Sequence, residues 1–260
     1  MKQVISISIL MMAVFLIHAS EARANEWEET FFKANQAYRE GRFHEAVKGY
    51  DRLIRSGHQG GHLYYNLGNA YFKTEQLGPA ILNYERAYLL IPRDADLNFN
   101  LSYARDQMRD AILQPQGFFR AAFFWLDSLS MAELFWGFAF LNVLFWGTLF
   151  VRLFFRMEWT YYLFLILLIF WLIGGTSFGL KWYQAGSDDR AVVLKQEVSI
   201  LAGPDVRDTV LFKLHEGTIV HHERSEDGWA LVHLPDKKRG WMKSEAVELV
   251  SAVSCGGSGL

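Results

Sequence analysis

Residues 64–92 read YYNLGNAYFKTEQLGPAILNYERAYLLIP, and this stretch decides how the chain folds. Large and small side chains recur in it at helical spacing, in two halves joined by a short polar segment. The recurring positions are Tyr64, Leu67, Gly68 and Tyr71 in the first half and Ala80, Tyr84, Ala87 and Pro92 in the second. Two antiparallel helices approach closely only where small residues face each other. The pattern therefore predicts a helix pair that meets at Gly68 and Ala80.

Copies of this pattern lie on both sides of the stretch at a constant offset. Ala46 takes the place of Ala80 one unit earlier, and Leu101 takes the place of Leu67 one unit later. The last copy is only half a unit, because QPQG at residues 114–117 interrupts it. Helix pairs that recur with a period of about 34 residues resemble the tetratricopeptide repeat, a helix–turn–helix unit of proteins that bind other proteins.

The resemblance implies an all-α superhelix over residues 26–113. Its units lie at about 27–60 and 61–94, and a half-repeat at 95–113 closes the stack as a cap. The inner face of such a superhelix binds partner proteins, and our candidate groove residues are Asn35, Tyr65, Asn66, Asn69 and Lys73. Phe31 stands where a carboxylate-clamping repeat domain has its first lysine, so we do not expect a clamp for chaperone tails.

Two further inner-face positions carry aromatic residues, Phe99 and Tyr103. Exposed aromatic side chains often mark an interface. Ordinary packing within the repeats is the alternative role for Phe99 and for Tyr65.

Three apolar runs indicate export and membrane insertion. Residues 1–24 combine Lys2, an apolar core and the ending Ala-Arg-Ala, as a secretory signal peptide does; an uncleaved anchor is the alternative. Residues 131–154 and 159–181 are each long enough to span a bilayer. We expect a transmembrane hairpin, preceded by a linker and an interfacial helix over residues 114–130. The alternative is a pair of buried core helices in a soluble domain.

Two features set the expected orientation of the hairpin. A cleaved signal peptide leaves the repeats outside the cytoplasm. The hinge between the spans then faces the cytoplasm, where Arg152 and Arg156 agree with the positive-inside rule. We therefore expect a two-pass protein of the bacterial inner membrane whose two soluble domains both lie in the periplasm.

Short alternating segments replace the helical pattern over residues 191–250. Turn residues at regular intervals predict five or six strands in a small all-β barrel or sandwich. The pairs Gly203-Pro204, Gly228-Trp229 and Gly240-Trp241 resemble landmarks of the bacterial SH3-like domain, although the usual polar run before the first pair is apolar here. Trp229 and Trp241 are the candidate binding residues of this module, with closure of the barrel core as their alternative role.

The order of the parts resembles the BatE-like family of the bacterial aerotolerance (Bat) operon. That order is signal peptide, tetratricopeptide array, membrane hairpin and SH3-like domain, and residues 94–105 (DADLNFNLSYAR) resemble the family's exit into the membrane part. The resemblance implies an envelope protein that works beside von Willebrand-type Bat proteins and a MoxR-type ATPase. Our leading hypothesis for its function is a membrane-anchored adaptor that binds partner proteins. A peptidoglycan-binding sensor and an accessory subunit of an envelope hydrolase are the alternatives.

The sequence contains no catalytic, cofactor or metal motif. It lacks a glycine-rich phosphate loop, an HExxH pair and a nucleophile elbow, so we predict that it is not an enzyme and binds no cofactor. A net charge of −2 without a basic stripe argues against nucleic acid. The single cysteine, Cys255, lies in residues 251–260, which read as a disordered tail.

Histidines in the strand region are the remaining candidates for a metal site. They are His215, His221, His222 and His233. His221 and His222 point to opposite faces of a strand, and no cysteine or carboxylate pair near them has the spacing of a zinc site. We therefore predict solvated or half-buried histidines and no metal.

Overall fold

The computed structural model describes residues 26–110, 123–155 and 157–251. The N-terminal part is an array of helices, with α1 over residues 26–39, α2 Phe43–Arg55, α3 Gly61–Lys73, α4 Leu77–Leu90 and α5 Ala95–Asp106. A short helix, α6 Trp125–Ser128, precedes the two long helices α7 Met131–Phe154 and α8 Glu158–Gly186. A sheet of strands completes the described chain.

Five predicted features lie wholly or partly outside the described residues. They are the signal peptide at 1–24, the last three residues of the half-repeat at 95–113, much of the linker and interfacial helix at 114–130, Arg156 of the hinge, and the tail after Ser251. Within the described part of the linker, α6 is the helical element.

Close contacts between consecutive helices build the array. A Cβ atom on Gly68 would lie 2.6 Å from the ring of Tyr84 and 3.2 Å from the carbonyl oxygen of Ala80, so no side chain fits between α3 and α4. One unit earlier, a Cβ atom on Gly49 would lie 2.7 Å from the Cβ atom of Ala34. The predicted contact of the helix pair at Gly68 and Ala80 is thereby confirmed.

The two long helices α7 and α8 expose most of their surface. In the most apolar window of each, only 11% and 6% of the residues are buried, whereas the core helix of a soluble protein would be mostly covered. Both helices are long and apolar enough to cross a membrane. They pack on each other, and Trp171 Nε1 donates a hydrogen bond to Asn142 Oδ1 over 3.1 Å. Such a bond satisfies two polar groups within an apolar layer.

The C-terminal part is one antiparallel sheet of seven strands. These are β1 Arg190–Val193, β2 Glu197–Leu201, β3 Val210–His215, β4 Ile219–Glu226, β5 Trp229–His233, β6 Arg239–Lys243 and β7 Val247–Leu249. Their order across the sheet is β3-β2-β6-β5-β4-β1-β7. The sequence predicted five or six strands. The additional one is β7, a three-residue strand that follows a 3-10 turn and pairs with β1.

A buried carboxylate joins the array to the sheet. Glu85 of α4 is only 1% exposed, and its carboxylate accepts hydrogen bonds from Arg105 of α5 and Arg190 of β1. Burial by itself lowers the pKa of the Arg190 guanidinium, but bonds to Asp188 and Glu85 hold that pKa above its ordinary value. A buried carboxylate is tolerated when cations pair with it. The pairing therefore fixes α4 against β1.

Arg86, the next residue of α4, makes a second link to the sheet. Its guanidinium donates to the carboxylate of Glu248 and to the backbone carbonyl oxygens of Leu249 and Val250. The sequence predicted two separate modules. In the structure α4 packs against α3 and α5 of the array and also against β1, so the array and the sheet share one packed interface.

Candidate protein-binding surfaces

A ladder of hydrogen bonds connects the helices of the array. The hydroxyl of Tyr50 donates to Asn35 Oδ1 over 2.6 Å, and Asn66 Nδ2 donates to the same oxygen over 3.1 Å. One asparagine of α1 thus holds both α2 and α3. We call the full bonded set the polar ladder, which consists of Asn35, Tyr50, Asn66, Asn69, Tyr84 and Asn100.

The same bonds recur one repeat later. Tyr84 donates to Asn69 Oδ1 over 2.7 Å, and Asn100 Nδ2 donates to that oxygen over 2.9 Å. Asn69, Tyr84 and Asn100 correspond, one repeat on, to the three ladder residues of the preceding unit. Burial raises the pKa of the Tyr50 and Tyr84 hydroxyls, so both remain donors at neutral pH. The contacts therefore follow the period of the sequence.

Three of the five predicted groove residues belong to the polar ladder, namely Asn35, Asn66 and Asn69. A fourth, Tyr65, is half-buried beside it and its hydroxyl accepts from Asn100 Nδ2 over 3.1 Å. The fifth, Lys73, is exposed in the last turn of α3 and stands apart from the ladder. The side-chain oxygens of Asn35 and Asn69 are used inside the fold, where they hold neighbouring helices together.

Aromatic side chains on α3 and α5 face solvent instead. Phe99 is 70% exposed and Tyr103 is 52% exposed. Their rings stack with centroids 6.4 Å apart, and the ring of half-buried Phe72 lies 5.8 Å from that of Tyr103. We call Phe72, Phe99 and Tyr103 the aromatic patch. Aromatic residues grouped on a surface are typical of the core of a protein interface.

The two candidate tryptophans of the sheet are almost fully buried. Trp229 and Trp241 pack with Leu201 and Leu231 in a small cluster that is separate from the main core of the sheet. Lys243 Nζ lies 3.8 Å from the ring centroid of Trp229. Contacts of this kind between a cation and an aromatic ring are attractive. Both tryptophans thus pack in a secondary cluster rather than in the main core.

A pocket of about 520 Å³ opens beside Trp241. Its lining includes Trp241, Leu231, Glu223 and two arginines, Arg224 and Arg239. The volume falls within the range of about 300–1,000 Å³ that small-ligand sites occupy. The Arg224 guanidinium also lies 5.3 Å from the ring centroid of Trp241. The pocket therefore combines an aromatic wall with charged groups of both signs.

The histidines of the strand region lie in different environments. His215 Nδ1 is 3.1 Å from Asp110 Oδ1 at the interface between the array and the sheet. His221 and His233 stack on each other across β4 and β5, with ring centroids 5.0 Å apart. The sequence predicted that His221 and His222 point to opposite faces of a strand. The stacking of His221 on His233 depends in addition on the register between β4 and β5. No signal in the sequence specified that register.

In comparisons with known proteins, no family model and no curated sequence matches this chain.

Proposed function

We propose that this chain is a membrane-anchored envelope adaptor. Its helical array, which we interpret as tetratricopeptide repeats, binds a partner protein, and its sheet, which we interpret as an SH3-like module, contacts a second partner. By the resemblance described above, the partners belong to a Bat/MoxR-type stress-tolerance assembly. The observation that carries the proposal is the aromatic patch, because Phe99 and Tyr103 are exposed beside a rigid helical scaffold.

Two features support the interpretation of the array as tetratricopeptide repeats. The bonds of the polar ladder recur with the period of the sequence pattern, and glycine stands at the two close helix contacts described above, against Ala34 and against Ala80. Repeat proteins bind partners on the surface that successive units share. The polar ladder keeps the units in a fixed relation, so the aromatic patch is presented in one geometry and loses little freedom on binding.

The two long apolar helices support a fixed position at the membrane. In the proposed topology α7 and α8 cross the inner membrane as a hairpin, and the array and the sheet both lie in the periplasm. A reporter enzyme that is active only outside the cytoplasm should be active when fused after Val250. It should be silent when inserted after Phe155, and activity at that point would contradict the topology.

The adaptor proposal is tested by co-purification. The full-length chain is expressed with a von Willebrand-type Bat protein, extracted from membranes in mild detergent and captured. We expect the partner to be retained by the parent chain and lost from the double variant Phe99→Ser, Tyr103→Ser. The matched control is Phe32→Ser, because Phe32 of α1 is 61% exposed but lies outside the aromatic patch. Equal recovery with all three chains would contradict binding through the patch.

A peptidoglycan-binding sensor is the second candidate, and the pocket beside Trp241 favours it. Arg224 and Arg239 in its lining suit a peptide carboxylate, since a guanidinium pairs with a carboxylate through two parallel hydrogen bonds. The test is sedimentation of the detergent-solubilised chain with purified peptidoglycan. Retention that is lost in Arg239→Ala but kept in Arg207→Ala, an exposed arginine outside the lining, would favour the sensor.

A further inference from the structure

Two histidines and an aspartate converge on one face of the sheet. His221 of β4 and His233 of β5 are direct partners in the antiparallel register, so their side chains project on the same side. Asp189 stands just before β1, the strand on the other side of β4, and its Oδ1 atom lies 2.6 Å from His221 Nδ1. The three residues come from three separate segments of the chain, and the pairing of the strands brings them together.

The distances suit a shared ligand. One ligand atom from each of Asp189, His221 and His233 lies within 4.8 Å of the others, and all three residues are half-buried. The carboxylate of Glu223 is also near, with Oε1 3.2 Å from His233 Nδ1. That nitrogen is nevertheless buried and has no aligned hydrogen-bond partner among the described residues. A buried polar atom without a partner is unfavourable, and a bound cation would satisfy it.

We propose that Asp189, His221 and His233 bind a divalent transition-metal ion, with Zn²⁺ as the first ion to test. This revises the prediction of no metal made from the sequence, which considered the spacing of ligands along the chain and not the register that pairs His221 with His233. Neutral imidazole and carboxylate are usual zinc ligands, whereas Ca²⁺ and Mg²⁺ prefer oxygen ligands alone. Two atoms bound to one tetrahedral zinc ion lie about 3.3 Å apart, given bonds of about 2.0–2.1 Å. Binding therefore requires the two imidazole rings to turn out of their stacked arrangement and converge. Glu223 is placed to supply a fourth ligand atom, its Oε1 oxygen, or to orient His233.

The position of the site indicates a structural role for the metal. Asp189 lies in the short connection between α8 and β1, and its neighbour Asp188 pairs with Arg190, which reaches Glu85 of the array. A metal at this point would tie the end of a proposed membrane span to β4 and β5.

The test is a zinc titration of the full-length chain in detergent, in competition with a chromophoric chelator. We expect one equivalent of Zn²⁺ to bind, and affinity to fall by about tenfold or more in His221→Ala, His233→Ala and Asp189→Asn. The matched control is His222→Ala, because His222 is adjacent in sequence and its imidazole lies against Ser225 instead, 2.8 Å from the hydroxyl. This control should bind zinc as the parent chain does.

A second measurement uses the parent chain alone and does not depend on how the variants fold. A histidine-modifying reagent is applied with and without Zn²⁺, and the modified residues are identified by mass spectrometry. We expect Zn²⁺ to protect His221 and His233 but not His222. The proposal is overturned if the parent chain binds no stoichiometric zinc, if all three histidines are protected equally, or if His222→Ala weakens binding as much as His221→Ala.

Discussion

The polar ladder and the aromatic patch share helices α3 and α5, but their side chains have different surroundings. Asn69 accepts hydrogen bonds from Tyr84 and Asn100 inside the array. Phe99 and Tyr103 stack on each other and keep more than half of their surface in contact with solvent. The ladder residues therefore stabilise the folded array, whereas the patch residues have exposed apolar surface that a partner protein can bury. The position of a polar residue in a groove does not by itself show that the residue binds a partner.

The largest loss of stability should come from Gly68→Leu, because this change disrupts the helix packing that supports both the polar ladder and the aromatic patch. The first added carbon would lie 2.6 Å from the ring of Tyr84, so α3 and α4 must separate. We expect a loss of about 3 kcal/mol in the free energy of unfolding, measured by denaturant titration with circular dichroism. Tyr84 packs in one core with Val192 and Val250 of the sheet, so the sheet should lose stability as well.

The control for this variant is Gly60→Ser, because Gly60 is the N-cap of α3 and serine is as favourable there as glycine. Gly60 has an extended backbone, with φ at −173°, and a Cβ atom there would meet no atom within 4 Å. Its unfolding midpoint should stay close to that of the parent chain. A Gly68→Leu protein that unfolds at the parent midpoint would mean that the helix contact is placed wrongly.

The second-largest loss of stability is expected from a variant that removes one residue of the polar ladder and leaves the aromatic patch unchanged. Asn69→Ala leaves the Tyr84 hydroxyl and the Asn100 amide without their shared acceptor. We expect a loss of about 2 kcal/mol in stability. The outcome that would contradict a structural role is a chain of parent stability that has lost its partner protein, since Asn69 would then act in binding.

Much of the array was predictable from the sequence, because the signals that define it are local. The size pattern around Gly68 predicted the helix contact, and the long apolar runs predicted the two exposed helices. The sequence did not indicate which inner-face residues belong to the polar ladder and which belong to the aromatic patch. Asn69 and Phe99 both occupy inner-face positions, and only the distances reveal that one is bonded inside the fold and the other is exposed.

Contacts between distant segments could not be derived in the same way. Glu85 and Arg86 are charged residues in the mostly apolar helix α4, but their partners Arg190 and Glu248 lie far along the chain in the sheet. His221 and Asp189 likewise meet only because strand register brings them together. Register and domain packing depend on the whole chain rather than on a local pattern.

A smaller effect on stability is expected from Asp110, whose carboxylate is hydrogen-bonded within the fold as the side chains of the polar ladder are. Its carboxylate accepts from the backbone N–H of His215 over 2.7 Å and from the Thr218 hydroxyl over 2.8 Å. Burial by itself raises the pKa of Asp110, but these bonds and the His215 ring hold it below its ordinary value of 3.8. A lowered folded-state pKa stabilises the fold above pH 3.8, and this contribution is lost as the pH falls through the lower folded-state value.

The corresponding measurement is unfolding of the parent chain and of Asp110→Asn at pH 7 and at pH 3. At pH 7 the variant should be less stable by on the order of 1 kcal/mol. The difference should shrink at pH 3, because this pH is below the ordinary pKa of 3.8 and the carboxylate of the unfolded parent chain is mostly protonated there. A difference that grows as the pH falls would contradict the assigned direction.

The smallest effect on stability should come from the aromatic patch itself. The double variant Phe99→Ser, Tyr103→Ser removes side chains that are mostly exposed, so its unfolding free energy should stay within about 0.5 kcal/mol of the parent value. Its melting curve and that of Asn69→Ala are recorded together. If the double variant were the less stable of the two, the patch would be part of the core and the comparison would fail.

The central claim is that a partner protein contacts the aromatic patch, and crosslinking in intact cells tests it most directly. A photoreactive amino acid replaces Phe99 in one chain and Phe32, an exposed phenylalanine of α1, in another. We expect irradiation to link a von Willebrand-type Bat protein to position 99 and not to position 32. No crosslink from position 99, or equal crosslinks from both positions, would contradict the adaptor.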